Sequence, residues 1–81
     1  MTATVTVQDP GGITTDPRTG FVYVANTRRG NVVVINGRTN KVAATVPVGS
    51  LPQGVAADPQ TNTVYVANNG SRSVSVLAGA G

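Results

Sequence analysis

The sequence contains no cysteine, histidine, glutamate or tryptophan. Without cysteine the chain can form neither a disulfide nor a thiolate nucleophile. Without histidine it lacks the commonest general base and the commonest metal ligand. The acidic residues are only three, Asp9, Asp16 and Asp58, which leaves little for acid–base catalysis or metal coordination. We therefore predict a non-enzymatic protein with no catalytic residue, no cofactor and no metal.

Charge and long apolar runs are also scarce. Six basic residues against three acids give a net charge of +3, too sparse for a nucleic-acid-binding patch, so we expect no nucleic-acid partner. No apolar run approaches the roughly 20 residues that span a bilayer. The first twelve residues, MTATVTVQDPGG, show neither the basic nor the apolar segment of a signal peptide. We expect no membrane insertion, and the compartment stays unknown.

Glycine, proline and valine make up much of what is present. Ten glycines and five prolines interrupt the 81 residues at short intervals, and the segments between them are rich in valine. This composition is typical of short β-strands joined by tight turns. The length allows one small domain. The sequence therefore predicts a single all-β domain over residues 1–81.

The chain contains an internal repeat. When Gly12 is aligned with Gly54, a shift of 42 positions, 12 of the 26 pairs between 12–37 and 54–79 are identical. A period of about 40–45 residues is typical of the four-stranded blades of β-propellers. We therefore predict a β-propeller of four-stranded antiparallel blades, two blades per chain.

Each repeat divides into strands, which we call a to d from the inside of a blade outward. The segment 4–7, TVTV, resembles 45–48, TVPV, and both lead through a proline and glycine into strand a. We predict that 4–7 is a d strand that completes the second blade of a neighbouring chain by strand exchange. The predicted strands are 4–7; 12–15, 21–26, 31–36 and 41–48 in the blade 12–48; and 54–57, 63–68 and 73–78 in the partial blade 54–78.

Both faces of the predicted sheets are apolar. In FVYVA, Phe21 and Tyr23 alternate with Val22 and Val24, so each face carries large apolar side chains. A propeller closes with about four to eight blades, so two blades alone would leave apolar faces in water. We predict a ring closed by homo-oligomerisation, as a homotetramer with eight blades or a homotrimer with six.

Several polar residues have simple structural interpretations. Asp16 and Asp58 precede prolines, where an aspartate stabilises a turn. Tyr23 and Tyr65 lie between valines and are predicted to pack in a core. Asp9 is a loop residue, and a ring that gathers several copies of it around one axis would offer a cation site as the alternative.

The loops 26–31, NTRRGN, and 68–73, NNGSRS, carry the candidate ligand-binding residues Arg28, Arg29, Arg72 and Asn69. Ring closure would multiply these arginines into a basic circle that suits carboxylates, phosphates or acidic sugars. The predicted partner is then an anionic small molecule or protein. The alternative is that these are solvated loop charges that keep the protein soluble.

The motifs VYVAN, DP-x-T, T-V-P-V-G and P-x-G-V-A resemble the YVTN family of β-propeller repeats over essentially the whole chain. Ala25 and Ala67 stand where the family usually has threonine. The resemblance implies a propeller scaffold of the kind found in surface-layer and other extracellular proteins, commonly with seven blades in one chain, and an extracytoplasmic location. Family relatives also bind cofactors or cleave substrates.

Three functions therefore stay open. The first is a non-enzymatic scaffold and interaction module that assembles with itself. The second is a ring that binds an anionic ligand or glycan through the loop arginines. The third is a fragment of a longer propeller with lyase-type or cofactor-binding activity.

Overall fold

The structure is a computed structural model that describes residues 10–79. Seven β-strands and no helix lie in this part of the chain, and four- or five-residue loops connect the strands. The strands are β1 (Pro10–Thr15), β2 (Phe21–Asn26), β3 (Asn31–Asn36), β4 (Lys41–Pro47), β5 (Pro52–Asp58), β6 (Thr63–Asn68) and β7 (Ser73–Ala78).

The strands form two antiparallel sheets. The first has the order β1-β2-β3-β4 and the second the order β5-β6-β7, so every strand pairs with its neighbour in the chain. The all-β class is confirmed, and the first sheet has the four strands that the repeat predicts. β7 forms an edge of the second sheet. The strand predicted at 4–7 lies outside the described residues.

The first strand of each sheet, β1 or β5, begins two residues earlier than the sequence predicts. Pro10 pairs with Asn26 and Pro52 with Asn68, in each case across a register shift that marks a bulge. Proline is tolerated at these positions because β1 and β5 are edge strands and a bulge locally releases the ladder of hydrogen bonds. β4 ends at Pro47, and it is also an edge strand, as its proline indicates.

The hydrophobic core lies between the two sheets. Tyr23, Val32 and Val34 of the first sheet pack with Val64 and Val66 of the second. None of these five side chains is more than 3% exposed. Burying a valine contributes about 1.5–3 kcal/mol, so this contact is the main stabilising feature of the chain. Core packing of Tyr23 is confirmed.

The aspartates before prolines form turns. The backbone amide of Arg18 donates to Oδ1 of Asp16 at 2.9 Å, and that of Gln60 donates to Oδ1 of Asp58 at 3.0 Å. These are the local side-chain-to-backbone bonds that favour aspartate at turns. Both carboxylates therefore have the structural role that the sequence predicts.

The second sheet turns an apolar face away from the core. Tyr65 is 43% exposed, Val74 62% and Val76 64%. Tyr65 pairs with Val76, and Ala67 with Val74, so all four side chains lie on the same face of the sheet. We call this face the β6–β7 face. The prediction that Tyr65 packs in a core is wrong for a single chain, because its neighbours on this face are exposed.

The first sheet also has a face opposite the core. The register places Ile13 beside Val24 and Val24 beside Val33, so the three share this face. Val24 and Val33 are buried, whereas Ile13 is 65% exposed, as is Val42 to 51% further out. We call it the β1–β4 face. The two apolar faces lie at opposite ends of the pair of sheets, since the core separates the sheets between them.

Candidate functional site

Three loops meet at one end of the two sheets. The backbone amide of Val48 donates to the carbonyl of Gly30 at 2.9 Å, and that of Gly70 donates to the carbonyl of Ser50 at 2.9 Å. These bonds join the middle loop to the loops on either side, so the end of the molecule has a fixed shape. The loops comprise residues 27–30, 48–51 and 69–72.

A cleft of about 550 Å³ opens between these loops. Arg28 and Arg29 contribute to its lining from one loop, and Ser50, Leu51 and Ser71 contribute from the other two. Guanidinium groups only donate hydrogen bonds, and serine hydroxyls can also donate. A cleft with this lining suits an anionic ligand such as a carboxylate or a phosphate.

Arg72 and Asn69 lie at the same end of the molecule but line a separate cleft of about 320 Å³. The side-chain amide of Asn69 donates to Oε1 of Gln53 at 2.6 Å, which holds it against the start of β5. The structure thus places the four predicted ligand residues in two pairs, Arg28 with Arg29 and Arg72 with Asn69. The bonded loop 48–51 stands between the two flanking loops.

Arg72 occupies a backbone position that favours glycine. Its φ is +51°, and the corresponding residue of the first repeat, Gly30, has φ +68°. Both residues end the four-residue loop of a β-hairpin, where a left-handed conformation returns the chain to the next strand. The repeat therefore keeps the loop shape while it replaces a glycine by an arginine at the strained position.

A second group of arginines lies at the opposite end. Arg18 and Arg38 line a cleft of about 300 Å³ together with Phe21 and Asn36. A guanidinium nitrogen of Arg18 also donates to the carbonyl of Pro59 at 3.4 Å. The sequence predicts ligand residues in the loops 26–31 and 68–73, and no site at this opposite end. The hairpin order of the strands is the signal that could have found it, because it brings the loops 16–20 and 37–40 together.

The acidic residues build no site in the part of the chain that the structure describes. Asp16 and Asp58 are each occupied by a turn, and no three acidic, histidine or cysteine side chains cluster within residues 10–79. The cation site considered for Asp9 lies outside the described residues. Between residues 10 and 79, no helix has the length and hydropathy that crossing a membrane requires.

Two equivalent asparagines differ in their hydrogen bonding. Asn68 is buried, its Oδ1 accepts from the backbone amide of Gly49 at 3.2 Å, and its Nδ2 donates to Oγ of Ser75 at 2.8 Å. Asn26, 42 positions earlier, is also buried, at 7% exposed. Its Oδ1 has no hydrogen-bond partner among residues 10–79. A buried acceptor without a donor costs about 1–3 kcal/mol. Asn26 Oδ1 thus lacks the kind of donor that Gly49 provides to the equivalent Asn68.

No family model matches the sequence, and no curated protein matches it. Among solved structures, a chain of hydrazine synthase from Kuenenia stuttgartiensis is similar, with a TM-score of 0.83 and 29% sequence identity. The similarity covers 96% of this chain and 22% of that chain. The chain thus spans about a fifth of the length of this neighbour. The likeness concerns the arrangement of the strands in that part.

Proposed function

We propose that this chain is a non-enzymatic scaffold that assembles with copies of itself into a closed β-propeller ring, each chain supplying two blades. The observation that carries the proposal is the pair of apolar faces at opposite ends of the two sheets. The resemblance of the repeats to YVTN propeller blades favours the same architecture.

The internal contact between the sheets supplies a template for a contact between chains. In the core, the face of the first sheet with Tyr23, Val32 and Val34 covers the second sheet. A shift of 42 positions converts these residues into Tyr65, Val74 and Val76. Identical side chains therefore form a core in one place and an uncovered face in the other.

The equivalent valines of the two repeats differ strongly in their exposure to solvent. Val32 and Val34 are 0% and 3% exposed, whereas the equivalent Val74 and Val76 are 62% and 64% exposed. Monomeric soluble proteins rarely leave contiguous apolar surface of this kind uncovered. The second repeat thus keeps residues that stabilise a sheet-to-sheet contact which one chain does not make.

The β1–β4 face is the matching partner. In the core, Val64 and Val66 meet the first sheet, and partly buried Val55 and Leu77 pack beside them. The repeat equivalents are Val22, Val24, Ile13 and Ile35, all placed by the register on the β1–β4 face. The β6–β7 face of one copy therefore fits the β1–β4 face of the next, in the same way as the two sheets of one chain fit each other.

Such a contact is heterologous, because it joins two different surfaces, and it leads to a ring when the rotation between copies closes. Each face would bury roughly 300–600 Å² of apolar surface. At about 25 cal/mol per Å², burial of each face contributes on the order of 10 kcal/mol before the entropy of association is subtracted. Three copies give six blades and four give eight, both within the range of closed propellers.

Native mass spectrometry of the full chain tests the proposal. We expect a species of three or four times the 8.2 kDa chain mass at micromolar concentration. The variant Val76→Lys, which places a charge on the β6–β7 face, should dissociate the assembly. Gln60→Lys adds the same charge on an exposed loop and should leave the mass unchanged. A folded 8.2 kDa species for the unaltered chain at this concentration would refute the proposal.

The loop cleft favours a second function, the binding of an anionic ligand or glycan. Arg28 and Arg29 contribute to one cleft with Ser50 and Ser71, so the donors that an anion requires are close together. The arginines of the opposite end provide a matched control, since Arg18 and Arg38 also line a cleft.

Titration with inorganic phosphate and with a sulfated oligosaccharide, at low and at moderate salt, tests this second function. Binding that weakens with salt and is lost in the variant Arg28→Gln/Arg29→Gln, but kept in Arg18→Gln/Arg38→Gln, would support it. Equal loss in both variants would indicate nonspecific attraction to positive charge and would contradict a site. For the third hypothesis, a fragment of a lyase-type or cofactor-binding propeller, nothing comparable speaks: within residues 10–79 the carboxylates, Asp16 and Asp58, each accept a hydrogen bond in a turn.

A further inference from the structure

We infer that residues 3–6 of one chain pair with the open edge of β7 in the next chain, in the register Thr6 to Ser73, Val5 to Val74, Thr4 to Ser75 and Ala3 to Val76. This inference rests on the proposed ring and specifies how its subunits are linked. The strand would complete the second sheet as a fourth strand, in the position that β4 has in the first sheet.

Within residues 10–79, the outer edge of β7 has no strand paired with it. β3, the repeat equivalent of β7, pairs with β2 on one side and with β4 on the other. β7 pairs with β6 and lies at the end of the strand order β5-β6-β7. An unpaired edge is a template for another strand, and addition of a strand satisfies its free backbone groups.

The sequence of the N-terminal segment matches the strand that fills the equivalent position. Residues 3–7 are ATVTV and residues 44–48 are ATVPV, so four of the five residues are identical. In β4 this segment pairs with β3, with Pro47 opposite Asn31, Val46 opposite Val32, Thr45 opposite Val33 and Ala44 opposite Val34. Transfer of these pairs to β7 by the repeat gives the register stated above.

The sides of the sheets indicate that the strand comes from another chain. The loop 48–51 runs from the outer edge of one sheet into the innermost strand of the sheet packed beside it. By the same connection, residues 3–6 belong to a sheet that packs on the β1–β4 face, in front of β1. The chain's own second sheet packs on the opposite, Tyr23 side, so the sheet completed by residues 3–6 is that of a second copy.

The buried oxygen of Asn26 supports this placement. In the second repeat, the amide of Gly49, in the loop before β5, donates to Asn68. The alignment of ATVTV with ATVPV makes Gln8 the equivalent of Gly49. When residues 3–6 are held on a neighbouring β7, the backbone amide of Gln8 becomes the donor that Asn26 Oδ1 lacks among residues 10–79.

Paired cysteines test the register, because the native chain has none. The variant Thr6→Cys/Ser73→Cys places the two cysteines opposite each other, within the Cα separation of about 4.4–6.8 Å that a disulfide accepts. The control, Thr4→Cys/Ser73→Cys, shifts one partner by two residues on the same face, to a diagonal separation of about 7–8 Å. Both variants are oxidised in the assembled state and separated on a non-reducing denaturing gel.

We expect covalent multimers up to the ring size from Thr6→Cys/Ser73→Cys, and at least tenfold less cross-linking from the control. A disulfide within single chains, equal cross-linking of both variants, or no cross-link in Thr6→Cys/Ser73→Cys would each overturn the inference. Native mass under reducing conditions separates the two proposals. If Thr6→Cys/Ser73→Cys shows the ring mass when reduced but forms no cross-link when oxidised, the ring stands and the strand pairing fails. If only the single-chain mass is found, both fail.

Discussion

The backbone amide of Gly49 donates to the side-chain oxygen of Asn68 at 3.2 Å, and this bond fixes the loop that leaves the first sheet to the second sheet. The same asparagine is 2% exposed and also holds Ser75 through its Nδ2 at 2.8 Å. One buried side-chain amide in β6 therefore links the loop 48–51 to β7.

Replacement of this asparagine should destabilise the fold. Asn68→Ala leaves the amide of Gly49 and the hydroxyl of Ser75 without their partner, and we expect the free energy of unfolding to fall by about 2 kcal/mol. Urea denaturation measures the change. Asn69→Ala removes an exposed amide next to it and should change stability by less than about 0.5 kcal/mol. If both variants lost the same free energy of unfolding, the buried hydrogen bonds of Asn68 would not contribute to stability as we expect.

Replacement of a strained arginine should stabilise the fold. Arg72 has φ +51° where the first repeat has Gly30, and a left-handed non-glycine residue costs about 1–3 kcal/mol. Arg72→Gly should therefore raise the free energy of unfolding by about 0.5–1 kcal/mol after the extra entropy of the unfolded chain is subtracted. Arg38→Gly, at a loop position without positive φ, should lower it slightly. A loss of stability in Arg72→Gly would show that the arginine makes a contact worth more than the strain.

Equivalent valines should respond differently to concentration. Val34→Ala removes part of the internal core and should cost about 2 kcal/mol at any protein concentration. Val76→Ala should cost a similar amount in the assembled ring and close to nothing after dilution into single chains. Thermal unfolding over a range of protein concentrations measures both. A Val76→Ala variant that is neutral at all concentrations would argue against burial of the β6–β7 face.

Proline placement should report which amides of the N-terminal strand face β7. In an antiparallel pair, successive residues direct their backbone groups to opposite sides. Pro47 shows that its position in β4 needs no amide, and its equivalent is Thr6. Thr6→Pro should therefore leave the assembly mass unchanged, whereas Val5→Pro should lose one inter-chain hydrogen bond and weaken assembly. If Val5→Pro assembled as well as Thr6→Pro, the predicted register would be wrong.

The sequence predicts most strands well because the internal repeat presents the pattern of β1, β2 and β3 a second time in β5, β6 and β7. β2, β3, β6 and β7 have the predicted bounds. The misplaced starts, at Pro10 and Pro52, have a common cause. Proline and glycine indicate turns in a single sequence, but these prolines pair with asparagines across a bulge at the edge of each sheet. Whether a strand continues through a proline depends on its pairing across the sheet, which the local sequence does not show.

The candidate site was less predictable. Arg28, Arg29 and Arg72 lie in loops, as the sequence predicts, but the division into two clefts depends on the loop 48–51, whose backbone bonds to its neighbours. Nothing in its sequence, VGSL, indicates that this loop separates two clefts. The cleft at Arg18 and Arg38 was likewise missed, because residues of two different hairpins form it.

The glycines of β1 carry a consequence for the geometry of an assembly. A methyl group on Gly12 would lie 2.5 Å from the carbonyl oxygen of Gln53, so the inner edges of the two sheets approach as closely as bare backbone allows. In the proposed ring, the width of this contact would help to set the angle between consecutive sheets. A bulkier residue there would change this angle. The copies would then close into a ring of a different size, or form an open helical filament.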